Sequence, residues 1–282
     1  MSEQQPTVLI TGAGRGVGRA TATRFAAAGW HAVAGVRDLE RARVDYADTP
    51  NVTIVPLDVT DHDQVRAAVA AAEERAGGAL DCLVSNAGYA VMGAVEEVDH
   101  DETRRMFETN FYGALAVIQA GVPAMRRAGR GTVVVVNTVG DHLTHPLTSV
   151  YHASKYALLS ITESLAFELR PFGVRVTSIE PGMIHTDFSS ATRRTGAASR
   201  GEGPYAELLG QLRAGFGAWR ERGQSTAEEV AEAIHQAATG DDQFRRLVGD
   251  DARELMRLRE EAGVDQRAWE ERLAGFLQMN WW

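Results

Sequence analysis

The chain has 282 residues, 44% hydrophobic and 24% charged, an ordinary globular composition with enough apolar material for a full core. Its single cysteine, Cys82, rules out an intrachain disulfide and a cysteine-rich metal site, and a net charge of −9 leaves no basic footprint for nucleic acid. The first residues, Met1 to Pro6, are polar and carry no secretory leader, and no apolar run approaches the ~18 residues of a membrane span, which points to the cytosol.

From the N-terminus, short β-branched runs alternate with alanine-rich helical stretches. Strands are predicted at 7–10, 31–35, 52–55, 82–85, 132–136, 174–179 and 246–248. Helices are predicted at 16–28, at 65–76 with Asp61 as a cap, at 102–125, and at 151–170, where Pro171 ends the run. Five β-branched residues in a row, Thr132 to Val136, suit a strand covered on both faces. The alternation implies βαβ units, right-handed crossovers and a doubly wound parallel sheet of Rossmann type. Residues 187–224 break the pattern as a Gly-, Ser- and Arg-rich insert with helix formers after Pro204. The tail, 250–282, reads as one or two helices with Trp269, Leu273, Phe276 and Leu277 at helical spacing. With no linker long enough to divide it, the chain reads as one domain over 1–282.

Between the first strand and the first helix lies Thr11-Gly-Ala-Gly-Arg-Gly-Val-Gly18. Glycines there let the backbone turn sharply against a pyrophosphate while the helix N-terminus offers free N–H groups. Gly12, Arg15, Gly16, Val17 and Gly18 are therefore candidate cofactor contacts. At the end of the second strand, where an acid would bind a ribose 2′-hydroxyl, the sequence has Val36 followed by Arg37. Two arginines, Arg15 and Arg37, can converge on a 2′-phosphate, which favours NADP(H). Asp38 is placed to reach the ribose instead, and both arginines also read as solvated surface residues; these alternatives stay open. Asp58 and Val59, ending the third strand, are placed to contact the adenine.

Tyr151 and Lys155 lie one turn apart on one helix face. A carbonyl reductase needs a proton donor for the alkoxide that hydride delivery creates, and a neighbouring ammonium lowers a phenol's pKa toward that task. Lys155 is the only lysine in the chain among 29 basic residues. An arginine cannot relay a proton and a lysine can, so its retention here points to chemistry.

Taken together, these motifs resemble the short-chain dehydrogenase/reductase family. The shared residues are Thr11-Gly12, Gly16 and Gly18, Asp58-Val59, Ser85-Asn86-Ala87-Gly88, Asn110, Tyr151 with Lys155, and Pro181-Gly182 with Thr186. The resemblance implies seven parallel strands in the order 3-2-1-4-5-6-7, with a C-terminal helical extension. It implies that Asn86, Ala87 and Gly88 support the central strand and the cofactor ribose. Asn110 would hold a water linking Lys155 to solvent, and Pro181, Gly182 and Thr186 would contact the carboxamide. Where the family usually has a serine that polarises the substrate carbonyl, this chain has Thr138; Asn137 could serve after a register shift. The look of the segments 34–39 and 151–188 is closest to the hydroxysteroid and retinol dehydrogenase-like ketoreductases, which take bulky apolar alcohols and ketones; a ketoreductase of secondary metabolism fits nearly as well. A homodimer or homotetramer is implied, through the helices around Asn110 and Tyr151.

His142, Leu143, His145 and Leu147 follow Thr138 and are placed near a substrate, as are Val91, Met92, Met183 and Phe188, although loop packing explains each equally well. The histidines lack metal-ligand partners at suitable spacing, so no metal is expected. Two other functional readings remain: a non-catalytic NADP(H)-binding regulator, and a dehydratase, epimerase or enoyl reductase on the same scaffold. Retention of both Tyr151 and Lys155 weighs against each.

Overall fold

The computed structural model describes residues 5–185, 192–197, 200–221, 224–240 and 242–280. Its centre is a seven-stranded parallel sheet of β1 (Thr7–Thr11), β2 (His31–Val36), β3 (Val52–Pro56), β4 (Cys82–Ser85), β5 (Thr132–Val136), β6 (Arg175–Pro181) and β7 (Arg245–Val248). The strands run in the order β3-β2-β1-β4-β5-β6-β7, as expected from the resemblance. Chain order reverses beside β1, so β1 and β4 flank the crevice where ligands of such sheets bind.

Alternate side chains of each strand feed two cores. Leu9, Val33, Leu83, Val133, Val135 and Val176 point to one face, under α3 (His62–Arg75), α5 (Ala114–Ala128) and α6 (Ser149–Leu169). Val8, Ile10, Ala34, Val84, Val134 and Ile179 point to the other, under α1 (Gly16–Ala27) and α8 (Ala227–Thr239). Each buried Val, Leu or Ile contributes roughly 1.5–3 kcal/mol. That is why the run Thr132–Val136 reads as unbroken hydrophobicity: β5 is buried along its whole length.

Two helical regions differ from expectation. A short helix, α2 (Leu39–Asp45), was not predicted, because its residues LERARVD carry no apolar period; Asp38 caps it through the Arg41 N–H. The predicted helix over 102–125 is interrupted. α4 (His100–Phe107) passes into a π-helical stretch, Glu108–Gly113, before α5 begins. Apolar spacing reports the face of a helix and not its hydrogen-bond ladder, so a π segment leaves no trace in the pattern.

The insert contains α7 (Ala206–Glu221), and the tail folds into α9 (Asp250–Ala262) and α10 (Gln266–Leu277). Together they build a third core. Leu209, Leu212, Trp219, Leu255, Trp269, Leu273, Phe276 and Leu277 pack with Val139, Leu143 and Leu147 of the segment after β5. The expected helical stripe is thus core, and it covers the carboxyl end of β5. Thr186, Phe188, Trp281 and Trp282 lie outside the described residues.

Candidate active site

The turn after β1 is built for an anion. Gly12 and Gly16 take positive φ values of 66° and 52°, open to glycine at no steric cost. At Gly18 a Cβ would overlap the Gly12 carbonyl oxygen and lie 2.6 Å from Asn86 Nδ2, so only glycine lets α1 start this close to β4. The α1 N-cap, Arg15, makes no side-chain cap, and the first turn holds no acid. By contrast, Asp38 and Asp61 cap α2 and α3. The first N–H groups of α1 and its positive dipole end are left for a phosphate, which fits the dinucleotide expected there.

Asn86 and Ala87 bind β4 to this turn. Their N–H groups donate to Thr11 Oγ1 at 2.9 and 3.0 Å, and Asn86 Nδ2 donates to the Thr11 carbonyl at 2.9 Å. Asp58 accepts from the Thr60 N–H and hydroxyl at 3.0 and 2.8 Å, which orients its carboxylate at the end of β3. Val59 is buried and closes on the backbone of Gly113. Arg15 and Arg37 are both exposed. Asp38, the competitor for the ribose, accepts from the Arg41 N–H at 3.0 Å as a helix cap.

At the far side of the crevice, α6 carries Tyr151 and Lys155. The Tyr151 hydroxyl is hydrogen-bonded to Thr138, which follows β5. Thr138 Oγ1 also accepts from the Gly140 N–H at 3.2 Å and lies 3.5 Å from the Pro181 carbonyl, a contact at the limit of hydrogen bonding. Asn137 faces elsewhere: its Nδ2 donates to Ser178 Oγ at 3.1 Å and its N–H to the Ile179 carbonyl. Thr138, then, is the residue brought to Tyr151, with no register shift.

Lys155 is buried, and its Nζ donates to the Val136 carbonyl at 2.9 Å. Burial brings its pKa down to about 8, with Asp141 acting against the fall. The expected lowering of Tyr151 by this ammonium is not what the protein's own groups produce. Burial raises the Tyr151 hydroxyl above the ordinary phenol value; the Thr138 hydrogen bond opposes this and Asp141 adds to it.

Asn110, on the π segment, is fully buried. Its Oδ1 accepts from the Tyr89 N–H at 3.0 Å, while Nδ2 donates to the Tyr89 carbonyl at 2.9 Å and to Ser154 Oγ at 3.1 Å. It staples the strand-four loop to α6. A Cβ on Gly88 would lie 3.1 Å from Asn110 Oδ1 and 4.0 Å from Lys155 Nζ, so Gly88, Asn110 and Lys155 share one wall.

The residues expected near a substrate divide. Met92 and Met183 are partly buried at the edge of the third core. Leu143 is buried within that core. His145 is held by Thr148 Oγ1 at 2.8 Å and packs edge-on against His152 and Phe216. His142 turns toward Asp141 and Glu180.

Among the residues that escaped sequence reasoning, one ties the tail to the site. Asp251, at the start of α9, is buried, and its Oδ2 accepts from the Met183 N–H and from Trp219 Nε1, both at 2.7 Å. A Cβ on Gly182 would collide with this carboxylate. The tail thereby holds the Pro181-Gly182 turn and α7 in fixed relation. Asp251 sits at no motif position, and its partners are 68 and 32 residues away, so nothing local marks it.

The comparisons with known proteins agree with this architecture. Residues 6–197 match the short chain dehydrogenase family model. A short-chain dehydrogenase, PC-15, of Penicillium crustosum is 40% identical over 184 residues, 65% of this chain and 67% of that one. Human 17-beta-hydroxysteroid dehydrogenase type 1 is 38% identical over 192 residues, 64% of this chain and 57% of its own. A short-chain dehydrogenase structure from Streptomyces avermitilis superimposes with a TM-score of 0.81 at 32% identity, covering 98% of this chain and 99% of the other. One from Burkholderia cenocepacia J2315, solved in complex with NADP, gives 0.74 at 27% identity, covering 97% and 99%. The chain belongs to the short-chain dehydrogenase/reductase family and is an NAD(P)-binding oxidoreductase.

Proposed function

We propose that this chain is an NADP(H)-dependent ketoreductase or alcohol dehydrogenase acting on a fairly bulky, apolar carbonyl or secondary alcohol, with Tyr151 as general acid/base. The observation that carries the reading is the joined Thr138–Tyr151 hydroxyl pair beside buried Lys155, at the carboxyl end of β5. The bound cofactor supplies or accepts the hydride. Thr138 donates a hydrogen bond to the carbonyl oxygen and keeps its proton, while Tyr151 delivers the one proton that oxygen takes as the alkoxide forms. Lys155, anchored by the Val136 carbonyl, holds positive charge beside the phenol and restores its proton. Its pKa of about 8 leaves it able to give a proton up near neutral pH. Gly88, Asn110 and the Asn86 bridge keep this wall in register with the phosphate turn.

NADP(H) is favoured because Arg15 and Arg37 flank the site with guanidiniums free for a phosphate, while Asp38 is occupied as a cap. Two relatives support this: the NADP complex from B. cenocepacia and an NADPH-dependent 1-acyldihydroxyacetone phosphate reductase of Schizosaccharomyces pombe, 34% identical over 189 residues. The apolar substrate class rests on Met92, Met183 and Phe216 at the rim of the third core and on the likeness to the hydroxysteroid enzyme. A homo-oligomer is proposed through α5 and α6, where Tyr156 and Phe167 remain 40% and 76% exposed.

A paired fluorescence titration with NADPH and NADH tests the cofactor assignment. NADPH should bind at least ~10-fold tighter, and Arg37→Ala should remove most of that difference, since a charge-assisted contact contributes about 1.5–3 kcal/mol. Preference for NADH would overturn the arginine reading and leave Tyr151 in place. Binding of neither nucleotide would remove the basis of the proposal.

A further inference from the structure

Close behind Thr138 the fold gathers three metal-ligating side chains to which the mechanism above assigns no step. Asp141 ends the single turn Val139–Asp141 after β5, His142 follows it, and Glu180 comes from β6. His142 Nε2 lies 3.1 Å from Asp141 Oδ1 and 3.3 Å from Glu180 Oε2, and one ligand atom from each of the three lies within 4.8 Å of the others. Both carboxylates are fully buried.

What sets this cluster apart from an ordinary polar network is its hydrogen bonding. Glu180 Oε2 and His142 Nε2 have no hydrogen-bond partner among the described residues, although they are 3.3 Å apart. The imidazole nitrogen approaches two oxygens at bonding range and aims at neither well enough to bond. Both carboxylate oxygens of Asp141 likewise have no hydrogen-bond partner among the described residues. Buried acceptors left open in this way are costly, the more so when charged, and call for a partner. Meanwhile the other oxygen of Glu180 is firmly held: Oε1 accepts from Ser178 Oγ at 2.8 Å and from Arg245 Nε at 3.1 Å. Those partners fix the carboxylate so that Oε2 points into the cluster, as outer-shell groups do around metals.

We propose that Asp141, His142 and Glu180 form a binding site for one divalent cation of the zinc class. Ligand atoms roughly 2.0–2.1 Å from a four-coordinate zinc stand about 3.3 Å from one another, matching the two separations that centre on His142. An imidazole with two carboxylates suits zinc better than magnesium, which prefers all-oxygen sites and keeps its waters. The fourth position falls on the His142 side, because that side chain is 19% exposed while the two acids are closed off. A bound cation ties the segment that carries Thr138 to the end of β6.

The test uses the full-length, tag-free chain, stripped with chelator and titrated with zinc chloride by calorimetry, followed by metal analysis after gel filtration. The expected result is one zinc per chain with a micromolar or tighter Kd, a raised melting temperature and no saturable response to magnesium. His142→Ala, at a partly exposed position and so compatible with folding, should weaken zinc binding at least 100-fold; Glu180→Gln should do the same if it folds. Failure of the wild-type chain to bind zinc stoichiometrically, or unchanged affinity in His142→Ala, overturns the site. None of these readouts depends on NADP(H) or on activity.

Discussion

Replacing Thr138 by valine removes one oxygen while keeping the branched shape. In the structure that oxygen accepts from the Gly140 N–H at 3.2 Å and meets Tyr151; its 3.5 Å contact with the Pro181 carbonyl is too long to tie up its proton. Turning the hydroxyl toward a substrate therefore forfeits less than the ~0.5–1.5 kcal/mol of a full hydrogen bond. Losing a donor aimed at a developing oxyanion costs about 2.7–4 kcal/mol, a roughly 100- to 1000-fold fall in kcat. The Gly140 N–H loses its acceptor as well, at about 1–3 kcal/mol of stability, which lowers the melting temperature by roughly 2–4 °C per kcal/mol. Thr138→Ser retains both partners and should stay within about fivefold of the parent rate. The assay is NADPH consumption against a panel of bulky ketones, with thermal melts in parallel. Folded Thr138→Val at near-parental kcat would refute the reasoning. Equal impairment of Thr138→Ser would assign the effect to the methyl group.

Two further expectations concern the frame around the site. Gly18→Ala forces apart the Gly12 carbonyl and Asn86, so NADPH affinity should fall at least ~10-fold along with stability; unchanged binding would show that the turn has room to spare. His152 is buried, with Nδ1 held by the Leu143 carbonyl at 2.8 Å, and burial brings its pKa down to about 3. Above its unfolded value of 6.5 it is neutral in both states. As pH falls from there toward 3, the unfolded chain gains a proton that the folded chain resists, so stability declines by about 2 kcal/mol at pH 5. Urea unfolding of the parent and of His152→Gln across pH 5–7 should show a shallower pH slope in the variant; parallel slopes would contradict the assignment.

The sheet was legible because burial on both faces writes itself into local composition: the valine run of β5 and the short strands around it need no knowledge of partners. Tyr151 and Lys155 were legible for a similar reason, since one helical turn brings them together and the lone lysine stands out. The hidden features all depend on residues that meet from distant parts of the chain. Asp251 reaches Met183 across 68 residues, and His142 finds its carboxylate on β6 and not at ligand spacing along its own loop. Inspection of the chain near His142 could not reveal Glu180. The π segment that presents Asn110 was hidden by apolar periodicity that continues across it, and α2 by having none. Tyr151's raised pKa also follows from burial, which motif spacing does not report.

The most direct test of the central claim is single-turnover hydride transfer from NADPH carrying deuterium at the transferred position, in the parent and in Tyr151→Phe. The phenylalanine keeps the ring and removes only the hydroxyl bonded to Thr138. The expected result is deuterium in the alcohol product of the parent, and a rate lower by about 100- to 10,000-fold in the variant with NADPH binding intact. Transfer in Tyr151→Phe at a rate within a few-fold of the parent would contradict the account and place the proton donor elsewhere.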